Sequence, residues 1–200
     1  MVDAIVLAAG MSRRMGEKNK LLLPLGAKTV IESVIEEIIS STANKTIVVL
    51  GFQHAKILEK LNKYPVEFIF NSSYRKGQTT SIQSAMSLIT QESNGFMVCL
   101  GDMPLIKTSD YNWLIDHFNQ SIDPGRPKIL RPTYKGNPGN PVIFDKRYVR
   151  EIMACGSEDG CREVIRNNHG NYKPIEVNEL KYFFDIDSSE DYDRLLRSIE

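Results

Sequence analysis

Apolar residues along this chain fall into short continuous runs that alternate with longer amphipathic stripes. Ala4-Ile5-Val6-Leu7 is unbroken and runs into Ala8-Ala9-Gly10, the pattern of a strand buried on both faces that feeds a tight loop. Val30, Ile31, Val34, Ile35, Ile38 and Ile39 then recur at helical spacing, as on a helix packed against a sheet. Thr46–Gly51 reads as a second strand, Ala55–Lys63 as an amphipathic helix and Val66–Phe70 as a third strand. A helix over about 79–90 and a strand over 96–100 continue the alternation. Such alternation predicts a three-layer α/β/α fold around a doubly wound, mostly parallel, Rossmann-like sheet.

The pattern changes between Ser121 and Asn140, where four prolines and three glycines surround one short strand at 128–131. Helices are predicted at about 146–154 and 161–167, and strands near 172–177 and 182–184. A last helix is predicted to be capped by Ser188 with Asp191 three residues on. No linker composition interrupts this. The chain therefore reads as one domain over residues 1–200, its later part, from about 106, returning to the same sheet.

Length, charge and cysteine usage narrow the function classes. Two hundred residues can bury a substantial core without disulfides or metal staples. Lysine plus arginine equals aspartate plus glutamate at 25 each, so phosphate neutralisation along a duplex is not expected and no nucleic-acid partner is predicted. Any anion site must be local. The start of the chain lacks a basic segment followed by a long apolar one, and no apolar stretch reaches about 18 residues, so a cytoplasmic protein without membrane attachment is expected. Cys99, Cys155 and Cys161 have no CxxC spacing and read as reduced thiols.

The densest chemistry lies in Leu7-Ala8-Ala9-Gly10-Met11-Ser12-Arg13-Arg14-Met15-Gly16, followed by Lys20. Small residues at 8–10 let backbone approach a ligand, and successive loop amides can form an anion nest to which Arg14 and Lys20 add charge. The spacing fits neither GxGxxG nor GxxxxGK[ST]. A plain glycine turn with solvated basic residues is the competing reading of this stretch.

This segment resembles the LAAGxSxRMGxxxK signature of the molybdenum-cofactor nucleotidyltransferases. Further matches follow in the family's order: Gly77-Gln78-Thr79-Thr80-Ser81-Ile82, Leu100-Gly101-Asp102-Met103-Pro104, Gly139-Asn140-Pro141-Val142 and Asp185-Ile186-Asp187-Ser188-Ser189-Glu190-Asp191-Tyr192. The resemblance spans nearly the whole chain. It implies a nucleotide-diphospho-sugar transferase type of fold whose first half, to about residue 105, binds an NTP and whose second half binds the acceptor.

The resemblance also implies site residues. Leu7, Ala8, Ala9, Gly10, Ser12, Gln78, Thr80 and Ser81 are expected around the nucleotide, with Arg14, Lys20 and Asp102 catalytic. Asp102 and Asp187 would hold Mg²⁺, or Mn²⁺ in its place, with Asp185 the alternative second ligand; by the family pattern Asp185 would instead cap or brace the turn into the final helix. Asp102 follows a buried strand, where open α/β sheets place their ligands, and Mg²⁺ commonly joins one or two carboxylates to substrate phosphates. Helix capping is the competing reading for Asp187. The motif Ala8-Ala9-Gly10 is similar to the cytidine-using branch, so CTP is the expected substrate and a molybdopterin-type phosphate the acceptor, with a molybdenum hydroxylase receiving the product. Asn140, and Arg162 in the segment Glu158–Arg162, are candidate acceptor contacts.

Three alternatives stand beside this expectation. A GTP-dependent enzyme, or one acting on another small phosphate, would differ in base or acceptor specificity. A non-catalytic cofactor carrier would not need both a triphosphate site and a metal site. A dinucleotide-dependent oxidoreductase would need a glycine fingerprint and a ribose-binding acid, but the second strand ends in Leu50-Gly51-Phe52-Gln53.

Overall fold

The computed structural model of the chain describes residues 1–16, 18–156 and 160–199. Its strands are β1 Val2–Ala8, β2 Pro24–Leu25, β3 Lys28–Thr29, β4 Thr46–Leu50, β5 Glu67–Phe70, β6 Gly95–Leu100, β7 Ile129–Tyr134, β8 Asn137–Pro138, β9 Val142–Asp145 and β10 Tyr172–Glu176. The helices are α1 Val30–Ile39, α2 His54–Leu61, α3 Gln78–Ala85, α4 Thr108–Gln120, α5 Val149–Ala154, α6 Gly160–Asn167 and α7 Ser189–Ile199. The main sheet has the order β10-β7-β9-β6-β1-β4-β5, with β8 paired to β7 and with β2 and β3 forming a separate small ribbon. Strand β1 pairs in parallel with both β4 and β6, and β9 runs antiparallel to β6 and β7.

Side-chain alternation along β1 divides the core into the two faces of a three-layer fold. Val2, Ala4, Val6 and Ala8 pack on one face with apolar residues of α1, α2 and α4, while Ile5 and Ala9 pack on the other with residues of α3, α5 and α6. The α1 stripe is positioned as its spacing predicts. Its start is fixed by a capping box in which Thr29 and Glu32 satisfy each other's backbone.

Several elements differ from the sequence expectation, among them the short strands β2, β3 and β8, which are not predicted. Strand β9 and helix α4 are not predicted: Val142–Asp145 sits directly after the Gly-Asn-Pro element, and the α4 stripe of Tyr111, Leu114, Ile115 and Phe118 follows the loop that begins at Asp102. The helix expected over 79–90 is α only to Ala85 and tightens into a 3-10 turn over Met86–Leu88. The strand expected at 182–184 is instead a 3-10 turn at Leu180–Phe183. There Tyr182 is buried, and its hydroxyl donates to Asp110 Oδ1 at 3.2 Å. Tertiary packing of one aromatic decides that conformation over local β preference.

The chain leaves β1 toward β4 and β5, then crosses back to β6 on the other side of β1. Loops that follow β1 and β6 therefore diverge and open a crevice at the carboxyl ends of the strands, where ligands bind in open α/β sheets. Gly101 sits at this edge in a tight place: a Cβ there would lie 2.8 Å from the tip of Ile31 and 3.0 Å from the Leu7 carbonyl, so a larger residue would push on both.

The amino end of β1 is held by a buried acid. Asp3 is fully buried, and its carboxylate accepts from Asn44 Nδ2 at 2.8 Å, Thr90 N at 2.8 Å and Thr90 Oγ1 at 2.9 Å. Burial alone would raise its pKa, but these donors outweigh burial and hold it below the usual carboxylate value. Asp3→Ala is expected to cost about 3 kcal/mol at neutral pH, read from the urea midpoint. Because the folded pKa is depressed, the wild-type advantage is present above the unfolded value and disappears as pH falls through the folded one.

Candidate functional site

The crevice is a cleft of about 490 Å³, within the range of ordinary small-molecule sites. The glycine loop between β1 and Lys20 forms one wall. Ser12 adopts a left-handed conformation, with φ 49°, and its hydroxyl accepts from the Lys20 N–H at 3.2 Å. Asn19, itself buried, accepts from the Leu21 N–H at 3.1 Å and meets the Ser12 hydroxyl at 3.5 Å. These bonds close the loop on itself. Gly16 turns the chain at φ 64°, which a side chain would strain.

An acidic wall faces the loop, built from segments far apart in sequence. Asp102 follows β6, and Asp185 and Asp187 flank Ile186 in the approach to α7. Ile186 is fully buried in a small apolar cluster with Met15, Leu23, Val30 and Leu195, and its N–H donates to the Asp102 carbonyl at 3.1 Å. Met15 belongs to the glycine loop, so a single apolar cluster ties the loop to the acids. Carboxylate oxygens of Asp102, Asp185 and Asp187 all lie within 4.8 Å of one another.

Two cations reach across to the acids. Lys20 Nζ lies 2.5 Å from Asp102 Oδ2 and 2.9 Å from Asp187 Oδ1, and an Arg14 guanidinium nitrogen lies 2.7 Å from Asp187 Oδ2. Burial works against the Lys20 ammonium, but the two aspartates more than offset it and hold its pKa above the ordinary lysine value. Asp185 behaves oppositely. Burial, then the negative charges of Asp102 and Asp187, raise its carboxyl above the usual range, and Lys20 compensates only in part. Helix capping falls to other residues: the Ser188 and Asp191 side chains exchange hydrogen bonds with each other's backbone N–H, at 3.2 and 2.9 Å. Asp187 is thus free of capping and faces the cleft, and Asp185 joins the acid cluster rather than bracing the turn.

Of the residues singled out from the sequence, Leu7, Ala9, Gly10, Ser12, Arg14, Lys20, Gln78, Ser81, Asp102 and Asp187 line this cleft. Ala8 does not: strand alternation turns it into the core, fully buried on the opposite face. Thr80 is also outside. Its hydroxyl bonds to the Ser73 and Gly77 carbonyls and accepts from Asn71 Nδ2 at 2.9 Å, so it shapes the loop before α3. Neither proposed acceptor contact reaches the cleft. Asn140 donates its backbone N–H to the Tyr182 carbonyl at 2.8 Å, and the adjacent Gly139 is required by a close approach, since a Cβ would lie 2.7 Å from that same carbonyl. Arg162 is exposed on the first turn of α6, while Glu158 and Asp159 of its segment lie outside the described residues. Sequence reasoning passed over Tyr74 and Arg75, which also line the cleft. The polar, basic run Asn71–Lys76 just before Gly77 was the available signal.

A glycine loop and an acid cluster facing each other at the switch point of an open sheet define a nucleotide-binding protein of the α/β class. More specifically, the chain belongs to the MobA-like NTP transferase domain family, whose model matches residues 4–172, and is a nucleotidyltransferase of that kind. The molybdenum cofactor cytidylyltransferase of Escherichia coli (strain K12) is 24% identical over 192 residues, covering 96% of this chain and 93% of that protein. The nicotine blue oxidoreductase of Paenarthrobacter nicotinovorans is 25% identical over 203 residues, covering 98% and 96%. Among solved structures, Rv0371c from Mycobacterium tuberculosis H37Rv superposes with a TM-score of 0.85 at 21% identity, covering 98% of this chain and 97% of that one. Its complex with manganese gives 0.81 at 20%, with the same coverage. These superpositions show the same fold along essentially the whole chain. Among the described residues, no helix is long and apolar enough to cross a membrane.

Three carboxylates in one cluster carry an electrostatic cost in the metal-free protein. Asp185→Asn is expected to raise the Tm at neutral pH by about 2–4 °C, the size of a roughly 1 kcal/mol gain in a chain of this length. An acid whose pKa is raised on folding destabilises the fold above its unfolded value, so the gain shrinks as pH falls toward the ordinary carboxylate range. Thermal denaturation in chelator at several pH values checks it, and a lowered Tm at neutral pH would contradict it.

Proposed function

We propose that this protein transfers CMP from CTP to the terminal phosphate of a molybdopterin-type acceptor, releasing pyrophosphate. The observation that carries the reading is the convergence, in one cleft, of Arg14 and Lys20 from the glycine loop with the acids of two distant segments. A triphosphate needs the cations, and a divalent metal needs the acids.

The donor set suits a hard divalent cation. All three candidate ligand groups are carboxylates with oxygens in mutual reach, and Mg²⁺ and Mn²⁺ both favour oxygen. Asp102 and Asp187 would hold it, with Asp185 beside them. When bound, the metal supplies charge neutralisation at the reacting phosphates.

The chain's own residues account for the rest of the chemistry. Arg14 and Lys20 neutralise the β- and γ-phosphates, and the glycine loop brings backbone against the nucleotide. The acceptor phosphate oxygen attacks the α-phosphorus in line, a new P–O bond forms, and the bond to the bridging oxygen of pyrophosphate breaks. This requires positioning and charge stabilisation but no protein nucleophile. Cys99 is consistent with that reading, since burial pushes its thiol well above the ordinary range and leaves it unreactive.

Base choice rests on the motif around Ala9. The Ala9 side chain packs against Gly51, where any added Cβ would lie 2.7 Å from Ala9 Cβ, and the residue lines the cleft. That methyl group is buried in the core, so the base reading comes from the similarity of Ala8-Ala9-Gly10 to the cytidine-using branch of the family and not from space it takes in the cleft. The E. coli relative, whose name specifies a cytidylyltransferase, supports the same reading. The product would pass to a molybdenum hydroxylase.

The test is pyrophosphate release with Mg²⁺ and each NTP, with and without molybdenum-loaded molybdopterin. Release is expected to require CTP and acceptor together, and to fall roughly 10²–10³-fold in Asp102→Ala. A requirement for GTP would move the protein to guanylyl transfer. Nucleotide binding without pyrophosphate from any NTP would point to a carrier or a different acceptor, and absence of nucleotide binding would overturn the reading.

A further inference from the structure

The Lys20 ammonium sits between the two acids proposed to hold a metal. It lies 2.5 Å from Asp102 Oδ2 and 2.9 Å from Asp187 Oδ1, with only 15% of the side chain exposed. Arg14 takes the other Asp187 oxygen at 2.7 Å. Both Asp187 oxygens and one Asp102 oxygen are therefore already committed to protein cations. A divalent ion using Asp102 and Asp187 must compete for these atoms, and displaced Lys20 would leave one of its partners for another anion.

The geometry points to a lock: Lys20 closes the acid cluster to metal in the nucleotide-free protein and leaves it only when a nucleotide triphosphate offers the ammonium other anionic partners. This rests on the nucleotidyltransferase reading above and adds an order of events to it. A lysine suits the task because its charge is compact and rides on a flexible four-carbon stem, so it can exchange one oxygen cluster for another by side-chain rotation. Ser12 holds the Lys20 backbone N–H at 3.2 Å, so the backbone can stay in place while the side chain moves.

The consequence is reciprocal coupling. Metal alone binds weakly because it must expel Lys20, whereas metal with nucleotide binds tightly because the nucleotide has already done so. By linkage, metal strengthens nucleotide binding by the same factor. A cleft that holds metal poorly until the triphosphate arrives assembles its reactive charge only in the presence of substrate.

The experiment is the affinity of nucleotide-free protein for Mn²⁺, read from the EPR signal of the free ion, in wild type, Lys20→Met and Arg13→Met. Arg13 lines the same cleft but among the described residues touches no acid, its guanidinium meeting Met11 Sδ at 3.9 Å, so its loss removes one charge without opening the cluster. Lys20→Met is expected to bind Mn²⁺ about tenfold or more tightly than wild type, within the roughly 5–150-fold range of ordinary coupling, while Arg13→Met shows much the smaller change. Lys20→Arg, which keeps a cation in reach of the acids, is expected to stay near wild type, and Lys20→Gln, which removes the charge but keeps a polar side chain, is expected to gain Mn²⁺ affinity like Lys20→Met and serves in its place if Lys20→Met does not fold. In addition, Mn²⁺ at a fixed concentration should raise the Tm of Lys20→Met more than that of wild type. Equal Mn²⁺ affinity in wild type and Lys20→Met, or an equal gain in Arg13→Met, overturns the lock and leaves the proposed function standing if wild type still forms a Mn²⁺–CTP complex. Failure to bind Mn²⁺ even with CTP present overturns both.

Discussion

The candidate site depends on one buried isoleucine. Ile186 inserts into the apolar cluster that holds Met15 of the glycine loop, and its backbone N–H bonds to the Asp102 carbonyl. The two acids that flank it, Asp185 and Asp187, each place a carboxylate oxygen within 4.8 Å of one from Asp102. Three like charges brought this close repel one another, and the hydrophobic anchor together with the two cations from the loop keeps them there.

Around this anchor the fold divides its duties by layer. The two sheet faces are filled by separate apolar clusters, with β1 contributing alternately to each, so the carboxyl ends of β1 and β6 form a rigid rim. Function is carried by the loops that leave the rim. Each loop is fixed by its own polar staple: Ser12 and Asn19 close the glycine loop, and Asn71 braces the approach to α3 through Thr80, Ser81 and the Ser73 N–H. A cleft built in this way places charge precisely enough for phosphate chemistry without a reactive side chain, because in-line transfer needs pre-set electrostatics rather than a nucleophile.

The acid cluster is the place where stability yields to function. Asp185 carries a raised pKa because burial and two neighbouring carboxylates act in the same direction, and Lys20 and a backbone hydrogen bond relieve it only in part. An apolar or neutral residue would suit the empty fold better. Strain of this kind is ordinary at ligand sites, where a group is arranged for the bound state and the rest of the molecule supplies the stability.

The sequence alone determined the α/β alternation, because buried parallel strands and amphipathic helices have different hydrophobic periods, and β1, β4, β5 and α1 stand close to where those periods put them. It also marked the glycine loop, Lys20, Asp102 and the paired aspartates as candidate site residues, and the structure brings them together. Tertiary structure decided what periodicity cannot encode. Strand alternation sent Ala8 inward, local hydrogen bonding took Thr80 for loop shape, and the burial of Tyr182 against Asp110 made a turn of an expected strand. The choice between capping and cleft for Asp187 was likewise made in space: Ser188 and Asp191 complete the cap between themselves, which leaves Asp187 to meet Lys20 and Arg14. Residue type and spacing name the groups that can react, but which of them share one volume of solvent is fixed only when distant segments pack.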